Sequence, residues 1–151
     1  MRQTLALVLS LLLLAACSLH REAFEQSVAD YRRDAHVLAS EPCRDADDCS
    51  LQKEVASTRL KQLEALDLAA CKGLGGRVEG VGMFGEPACV RHFSDGGKTC
   101  SDSSECQGEC MVYGEFKQGD TVAGQCSAQS PETGGCFAKV SNGKVQPGIC
   151  I

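Results

Sequence analysis

The chain has 151 residues and a formal net charge of −5, from 20 acidic and 15 basic residues. The two kinds of charge are interspersed, which argues against a nucleic-acid-binding face and against a polybasic membrane patch. It has no tryptophan, five phenylalanines and two tyrosines, so we expect a modest hydrophobic core.

An apolar leader precedes the first cysteine. Met1 and Arg2 form a short positive start, and residues 5–16 are almost entirely apolar. A run of about a dozen residues is too short for a helix that crosses the hydrocarbon core of a bilayer, which needs about 20. The order of a charged start, a short apolar middle and small residues before a cut is typical of a secretory signal peptide.

The end of this leader, Leu14-Ala15-Ala16-Cys17, resembles the lipobox of bacterial lipoproteins. The resemblance implies removal of residues 1–16, a diacylglyceryl group on the Cys17 thiol, and a further acyl chain such as palmitate on the new amino group. Several acyl chains anchor a protein stably. Ser18 after the cysteine implies, by the same resemblance, the Gram-negative outer membrane, with the chain facing the periplasm or the cell surface. The alternatives are cleavage by the general signal peptidase near residues 16–18, and an uncleaved leader that anchors poorly.

Ten cysteines follow Cys17, and an even number behind a secretion signal predicts five disulfides in an oxidising compartment. They are Cys43, Cys49, Cys71, Cys89, Cys100, Cys106, Cys110, Cys126, Cys136 and Cys150. The sequence leaves their pairing open. Eight of them lie from Cys71 onward, so a bond between Cys43 and Cys49 would leave a self-contained C-terminal module.

Other uses of these cysteines are less well supported. Structural zinc sites repeat close pairs of cysteines or histidines, and only Cys106 and Cys110 approach that spacing. The C-x-x-C motif of thioredoxin-like redox sites does not occur in the sequence. We therefore predict structural disulfides, with no metal and no cofactor.

The first half of the mature chain is predicted to be helical. All 16 glycines lie between Gly73 and Gly148, and glycine is costly inside helices. Apolar residues recur at steps of three and four over residues 21–40, as on one face of an amphipathic helix, and Pro42 ends the run. These apolar residues are Phe24, Val28, Tyr31, Ala35 and Leu38. A second helix is predicted from about residue 50 to 72, stopped by Gly73. We expect the first helix to pack on the rest of the domain; a coiled-coil stalk is the alternative.

The second half, residues 73–151 together with Cys71, is predicted to be a small β module. Strand-like segments cover residues 77–81, 111–116, 122–127 and 136–151. Within the last segment, Asn142-Gly143 is the strongest short signal for a hairpin. Cys136 and Cys150 lie on its two arms, and they bond either to each other or to earlier strands.

The resulting fold class is α+β, with a lipid-anchored helical region over residues 17–72 and a disulfide-rich, glycine-rich β module after it. The pattern of Cys71, three residues and Gly75-Gly76, followed by a strand and a later cysteine, resembles small uncharacterised cysteine-rich bacterial proteins. This resemblance covers about the last 80 residues and implies no activity.

Two kinds of loop leave alternatives open. Residues 81–85 form an apolar tip between glycines, which we predict to be a core strand or turn; an exposed binding loop is the alternative.

Residues 43–49 and 100–106 share a design, with five residues between two cysteines and an aspartate as the second of the five. We expect their Asp and Ser side chains to bond nearby backbone amides in turns or caps. Calcium binding is the alternative, although both loops lack the glycine and the bidentate glutamate of an EF-hand.

The sequence contains no catalytic motif. His92 and Asp95 lie close together, but no serine or free cysteine is placed beside them. We predict a non-enzymatic cell-envelope lipoprotein that acts as a binding or structural module. Its partners would be the membrane, through the lipid on Cys17, and an envelope protein, but no nucleic acid. The alternative is an inhibitor-like or toxin-like module that acts on an envelope or extracellular protein; an enzyme is a third possibility.

Overall fold

Helices come first in the chain and antiparallel strands follow, so the fold class is α+β, as predicted. The computed structural model describes the backbone of residues 2–43 and 45–150, and the side chains of residues 15, 16, 18–43 and 45–150. The helices are α1 (Arg2–Ser40), α2 (Ala46–Ala65) and α3 (Leu68–Gly73). The strands are β1 (Arg77–Val81), β2 (Glu86–His92), β3 (Thr99–Cys100), β4 (Cys110–Tyr113), β5 (Gly124–Cys126), β6 (Gln129–Ser130), β7 (Cys136–Ser141) and β8 (Lys144–Cys150). A short 3-10 helix covers Ser103–Glu105.

The chain divides into two compact units. Unit 1 comprises residues 1–80 and 84–89, and unit 2 comprises residues 81–83 and 90–151. Unit 1 therefore holds the three helices, most of β1 and the start of β2, while unit 2 holds the end of β2 and all later strands. Among the described residues, no helix combines the length and the apolar content that crossing a bilayer requires.

The apolar stripe of α1 forms one wall of the core of unit 1. Phe24, Val28, Tyr31 and Ala35 are buried, which confirms the predicted amphipathic helix, and α1 ends at Ser40, two residues before Pro42. Phe24, Val28 and Tyr31 belong to a core that Leu63, Cys71 and Val78 help to form, and Ala35 is buried outside that core. Each large apolar side chain buried in this way contributes about 1.5–3 kcal/mol.

The prediction of one continuous helix over residues 50–72 is wrong. The helix α2 begins earlier, at Ala46, because the Asp45 side chain accepts a hydrogen bond from the Asp48 amide (2.8 Å) and caps it. It is interrupted at Leu66, which is extended (φ −74°, ψ 133°). The carboxylate of Asp67 then accepts from the Ala70 amide (2.9 Å) and starts α3.

Two further links tie the helices of unit 1 to its strands. A disulfide joins Cys71 in α3 to Cys89 in β2, with their Cα atoms 5.6 Å apart. The Ser27 hydroxyl of α1 accepts a hydrogen bond from the Val78 amide of β1 (3.1 Å). The helical layer and the start of the strands are therefore fixed to each other by covalent and polar contacts.

Unit 2 is built on an antiparallel sheet with strand order β3-β5-β4-β7-β8. Its core contains Cys100, Cys110, Cys126 and Val140, so disulfide sulfurs fill space that larger apolar side chains fill in other domains. The β7–β8 hairpin is confirmed: Ser141 pairs with Lys144, and the turn residues Asn142 and Gly143 have φ of 49° and 71°. Both angles lie in the left-handed region that a type I′ turn requires.

The two aspartates of the similar loops both cap helices, as predicted. Asp45 caps α2, and Asp102 caps the 3-10 helix by accepting from the Ser104 amide (3.0 Å). Glu105 completes a capping box, since its carboxylate accepts from the Asp102 amide (3.1 Å). Hydrogen bonds from the backbone amides of Ser104 and Asn142 lower the pKa of Asp102.

Candidate functional site

Residues 82–85 form the turn between β1 and β2, and they expose two large apolar side chains. Met83, which belongs to unit 2, is 92% exposed, and Phe84, which belongs to unit 1, is 54% exposed. The segment is therefore a turn rather than a core strand. The exposure of Met83 and Phe84 is compatible with the alternative prediction of a binding loop.

Two side chains from the helices of unit 1 hold the backbone of this turn. The Tyr31 hydroxyl of α1 donates a hydrogen bond to the Gly85 carbonyl (2.6 Å). The Nε of Arg59 in α2 donates to the Phe84 carbonyl (2.6 Å). These two bonds attach consecutive carbonyls, those of Phe84 and Gly85, to α2 and α1, and they hold this end of the turn in place.

The backbone conformation at Gly85 favours glycine. Its φ is +61°, within the left-handed region. A Cβ atom at this position would lie 2.6 Å from Nη2 of Arg59. A larger residue would therefore both strain the backbone and displace the arginine that bonds the neighbouring carbonyl.

Burial affects the ionisation of Tyr31. Loss of solvation raises the pKa of its phenol; the Arg59 guanidinium opposes this shift and the Glu86 carboxylate adds to it. The hydroxyl therefore remains a hydrogen-bond donor at neutral pH, which is the state that its bond to Gly85 needs.

A groove lies in unit 1 between α2 and this turn, and we call it the α2 groove. It has a volume of about 230 Å³. Apolar side chains on it come from Leu51, Val55 and Phe84, and charged ones from Glu54, Arg59 and Glu86. Leu51 is 55% exposed, close to the value for Phe84. The groove is therefore an open apolar concavity with charged groups around it.

The spacing on α2 explains why the helix can serve both the core and the groove. Residues 51, 55, 58, 59 and 62 recur at steps of three and four and share one face. Ala56 and Leu63 lie on the adjacent, buried face, with exposures of 2% and 1%. The pair Leu51 and Val55, four residues apart, was the available signal for a second apolar face.

All ten cysteines that were predicted to form disulfides do so. The pairs are Cys43–Cys49, Cys71–Cys89, Cys100–Cys110, Cys106–Cys126 and Cys136–Cys150. The bond between Cys136 and Cys150 closes the open end of the β7–β8 hairpin, one of the two options left open. The loops at residues 43–49 and 100–106 are closed differently despite their common design.

One cluster of sulfur atoms has the compactness of a metal site. The Sγ atoms of Cys100, Cys106 and Cys126 lie within 4.8 Å of one another. Each of them is a disulfide sulfur, and metal ions bind the thiolate form of cysteine. In this state of the chain the cluster is therefore part of the packed core.

Side-chain hydrogen bonds hold the loop that contains Asp95. One Asp95 oxygen, Oδ2, accepts from the Gln107 amide (2.8 Å), while Oδ1 is buried and accepts no hydrogen bond from any residue that the structure describes. The Gln107 side chain donates to the Ser94 hydroxyl (2.8 Å). His92 is exposed at the end of β2, in register with Gln129 of β6. Gln107 thus holds Ser94 and Asp95, next to His92, in place.

Cys17, the predicted lipidation residue, lies within α1. Its side chain falls outside the part of the chain that the structure describes, so the lipid anchor stays a prediction. The same holds for the cleavage after Ala16.

Comparisons with known proteins give no further guide, since no family model, curated protein or solved structure matches the chain.

Proposed function

We propose that this chain is a non-enzymatic cell-envelope lipoprotein, held in the outer membrane by a lipid on Cys17, that binds another envelope protein through the α2 groove. The observation that carries the binding part is the turn fixed by Tyr31 and Arg59 beside an exposed apolar concavity. Exposed apolar patches on small proteins often mark contact sites. A turn that is already ordered loses little conformational entropy when a partner binds.

The disulfides support the same proposal. Five cross-links in a chain of this size suit an oxidising compartment. A secretion signal that ends in Leu14-Ala15-Ala16-Cys17 would deliver the chain to such a compartment and leave it at a membrane. The anchor and the cross-links therefore point to the same location.

The anchor is tested by fractionating cells that express the full chain or its Cys17→Ser variant. We expect the full chain in the membrane fraction and the variant in the soluble fraction, because several acyl chains bind a bilayer stably and their loss leaves no comparable anchor. Equal distribution of the two proteins would contradict the anchor.

Binding is tested by photo-cross-linking in intact cells. A photoreactive residue replaces Leu51 in the α2 groove or, as the matched control, Leu74, which is 61% exposed and does not line the groove. We expect one envelope protein to be cross-linked repeatedly from position 51 and not from position 74. The binding proposal fails if the two positions give the same background products.

A further inference from the structure

We infer that the α2 groove receives one large apolar side chain from a cationic segment of the partner polypeptide. This inference rests on the proposed function and names the chemistry of the partner. The occupant is a peptide segment in which lysines or arginines flank a single aromatic or aliphatic anchor.

The size of the groove supports a single anchor. Its volume of about 230 Å³ is below the range of roughly 300–1,000 Å³ that is typical of sites for small molecules. Protein interfaces often depend on one aromatic or aliphatic side chain that fills a pocket. The apolar surface of Leu51, Val55 and Phe84 offers such a side chain contacts from both the helix and the turn.

The charges around the groove select the flanking residues. Glu54 and Glu86 are both exposed and both border the groove. The single cation among the groove residues, Arg59, is half-buried and uses its Nε to hold the Phe84 carbonyl. The two carboxylates outweigh the one guanidinium, so the groove residues carry a net negative charge that attracts lysine and arginine.

The same charges argue against a second copy of this chain as the occupant. Two copies that meet groove to groove would bring four carboxylates together, and each chain has a net charge of −5. Like charges placed opposite each other disfavour association. A neutral apolar peptide would gain apolar contacts in the groove but no attraction to Glu54 and Glu86.

The rigidity of the turn adds to the case. Because Tyr31 and Arg59 already fix the carbonyls of Gly85 and Phe84, the groove does not have to be ordered by the ligand. Binding energy from the anchor side chain is then available as affinity.

The test measures fluorescence anisotropy with two labelled peptides and the full chain in detergent. In the first peptide one tryptophan is flanked by lysines, and in the second glutamates replace the lysines. We expect the lysine peptide to bind at least about tenfold more tightly at low salt, and the difference to shrink as salt is added.

Variants with matched controls locate the interaction. Phe84→Ser should weaken binding of the lysine peptide by about tenfold or more, as the loss of an interface anchor does. Leu74→Ser removes an exposed apolar residue outside the groove and should leave binding unchanged. Replacing both Glu54 and Glu86 by glutamine should weaken binding by roughly three- to tenfold. Replacing both Glu41 and Glu64 by glutamine removes the same amount of charge from exposed residues that do not line the groove, and it should leave binding unchanged.

Three results would overturn the inference. The first is equal affinity for the two peptides. The second is an equal change in affinity for the lysine peptide in Phe84→Ser and Leu74→Ser. The third is self-association of the chain, measured by sedimentation, that Phe84→Ser abolishes, since a second copy would then be the occupant. The assay does not depend on where the chain lies in the cell, so a failed anchor and a failed groove are distinguishable.

Discussion

Tyr31 combines an apolar contact and a hydrogen bond. Its ring is part of the core of unit 1, and it is 8% exposed. Its hydroxyl reaches the Gly85 carbonyl at 2.6 Å. The residue therefore links the packing of α1 directly to the shape of the turn that borders the α2 groove.

Tyr31→Phe should destabilise the chain by about 1 kcal/mol, because it keeps the ring and leaves a half-buried carbonyl without its donor. The measurement is urea unfolding followed by circular dichroism. The control is Tyr113→Phe, which removes the only other tyrosine hydroxyl; that hydroxyl donates to Glu132, and Tyr113 is 42% exposed. A cost for Tyr31→Phe no larger than that for Tyr113→Phe would contradict the importance of the bond to Gly85.

The same bond should depend on pH. Burial raises the pKa of Tyr31 above its ordinary value of 10.0, so the phenol ionises more readily in the unfolded chain. Its contribution to stability is then complete below pH 10 and is lost as the pH rises through the pKa of the folded chain. The difference in unfolding free energy between the wild type and Tyr31→Phe should therefore shrink above about pH 10. A difference that stays constant into the alkaline range would be inconsistent with this role.

The sequence predicts two parts of the site, the burial of Tyr31 and the turn, but neither the groove residues of α2 nor the contacts between them. The helical spacing places Tyr31 in the core stripe, and the glycines around residues 81–85 mark the turn. The hydrogen bonds that join them span 54 residues for Tyr31 and 25 residues for Arg59. No local pattern encodes such a pairing, because it depends on how α1, α2 and the β1–β2 turn pack.

At the scale of elements, the junction between α3 and β1 depends on a glycine packed against a disulfide. A Cβ atom at Gly76 would lie 2.5 Å from the Cys89 sulfur, 3.0 Å from the Cys71 sulfur and 3.2 Å from the Cys71 carbonyl oxygen. These neighbours are a cross-link and a main-chain atom, which move little. The glycine therefore lets the chain leave α3 directly beside the Cys71–Cys89 bond.

Gly76→Ala should cost about 1–3 kcal/mol, as overpacking in a core does. Gly73→Ala is the control, since it lies at the end of α3 and, beyond the adjacent backbone, no described atom lies within 4 Å of its added Cβ. Alanine favours a helix over glycine by up to about 1 kcal/mol, so this variant should be neutral or slightly stabilised. Thermal unfolding of both variants checks the pair, and equal stabilities would contradict the packing.

Local chemistry explains which elements could be predicted. The Asn142-Gly143 hairpin forms as expected because its two positive φ angles are a property of the dipeptide itself. The break between α2 and α3 was missed because Asp67, which caps α3, has the sequence context of an ordinary exposed helical residue. The order of the sheet depends on long-range pairing of short strands and on the disulfides, which cysteine spacing leaves open.

At the scale of the whole molecule, stability should depend on disulfides to different degrees. Cys106 and Cys126 are 20 residues apart and Cys126 is 1% exposed, whereas Cys43 and Cys49 are 6 residues apart and half-buried. Chain entropy assigns about 3 kcal/mol to a loop near the longer separation and less to the shorter one. The longer closure also lies in the core of unit 2.

Replacing Cys106 and Cys126 together by serine should therefore destabilise the chain more than replacing Cys43 and Cys49 together, by about 1 kcal/mol from loop length alone. The loss of buried sulfur contacts adds to this difference. Urea unfolding of the two double variants measures it. A larger cost for the Cys43 and Cys49 variant would contradict the assignment of the unit 2 core.

The anchor and the cross-links together define the proposed molecule: a cross-linked binding module attached to a membrane through Cys17. Intact-mass spectrometry of the protein purified from its native membrane, alkylated before and after reduction, tests both parts at once. We predict a chain that has lost residues 1–16 and carries lipid mass on Cys17, with no alkylation before reduction and alkylation of all ten remaining cysteines after it. A chain without lipid mass, or with cysteines that react before reduction, would contradict the account.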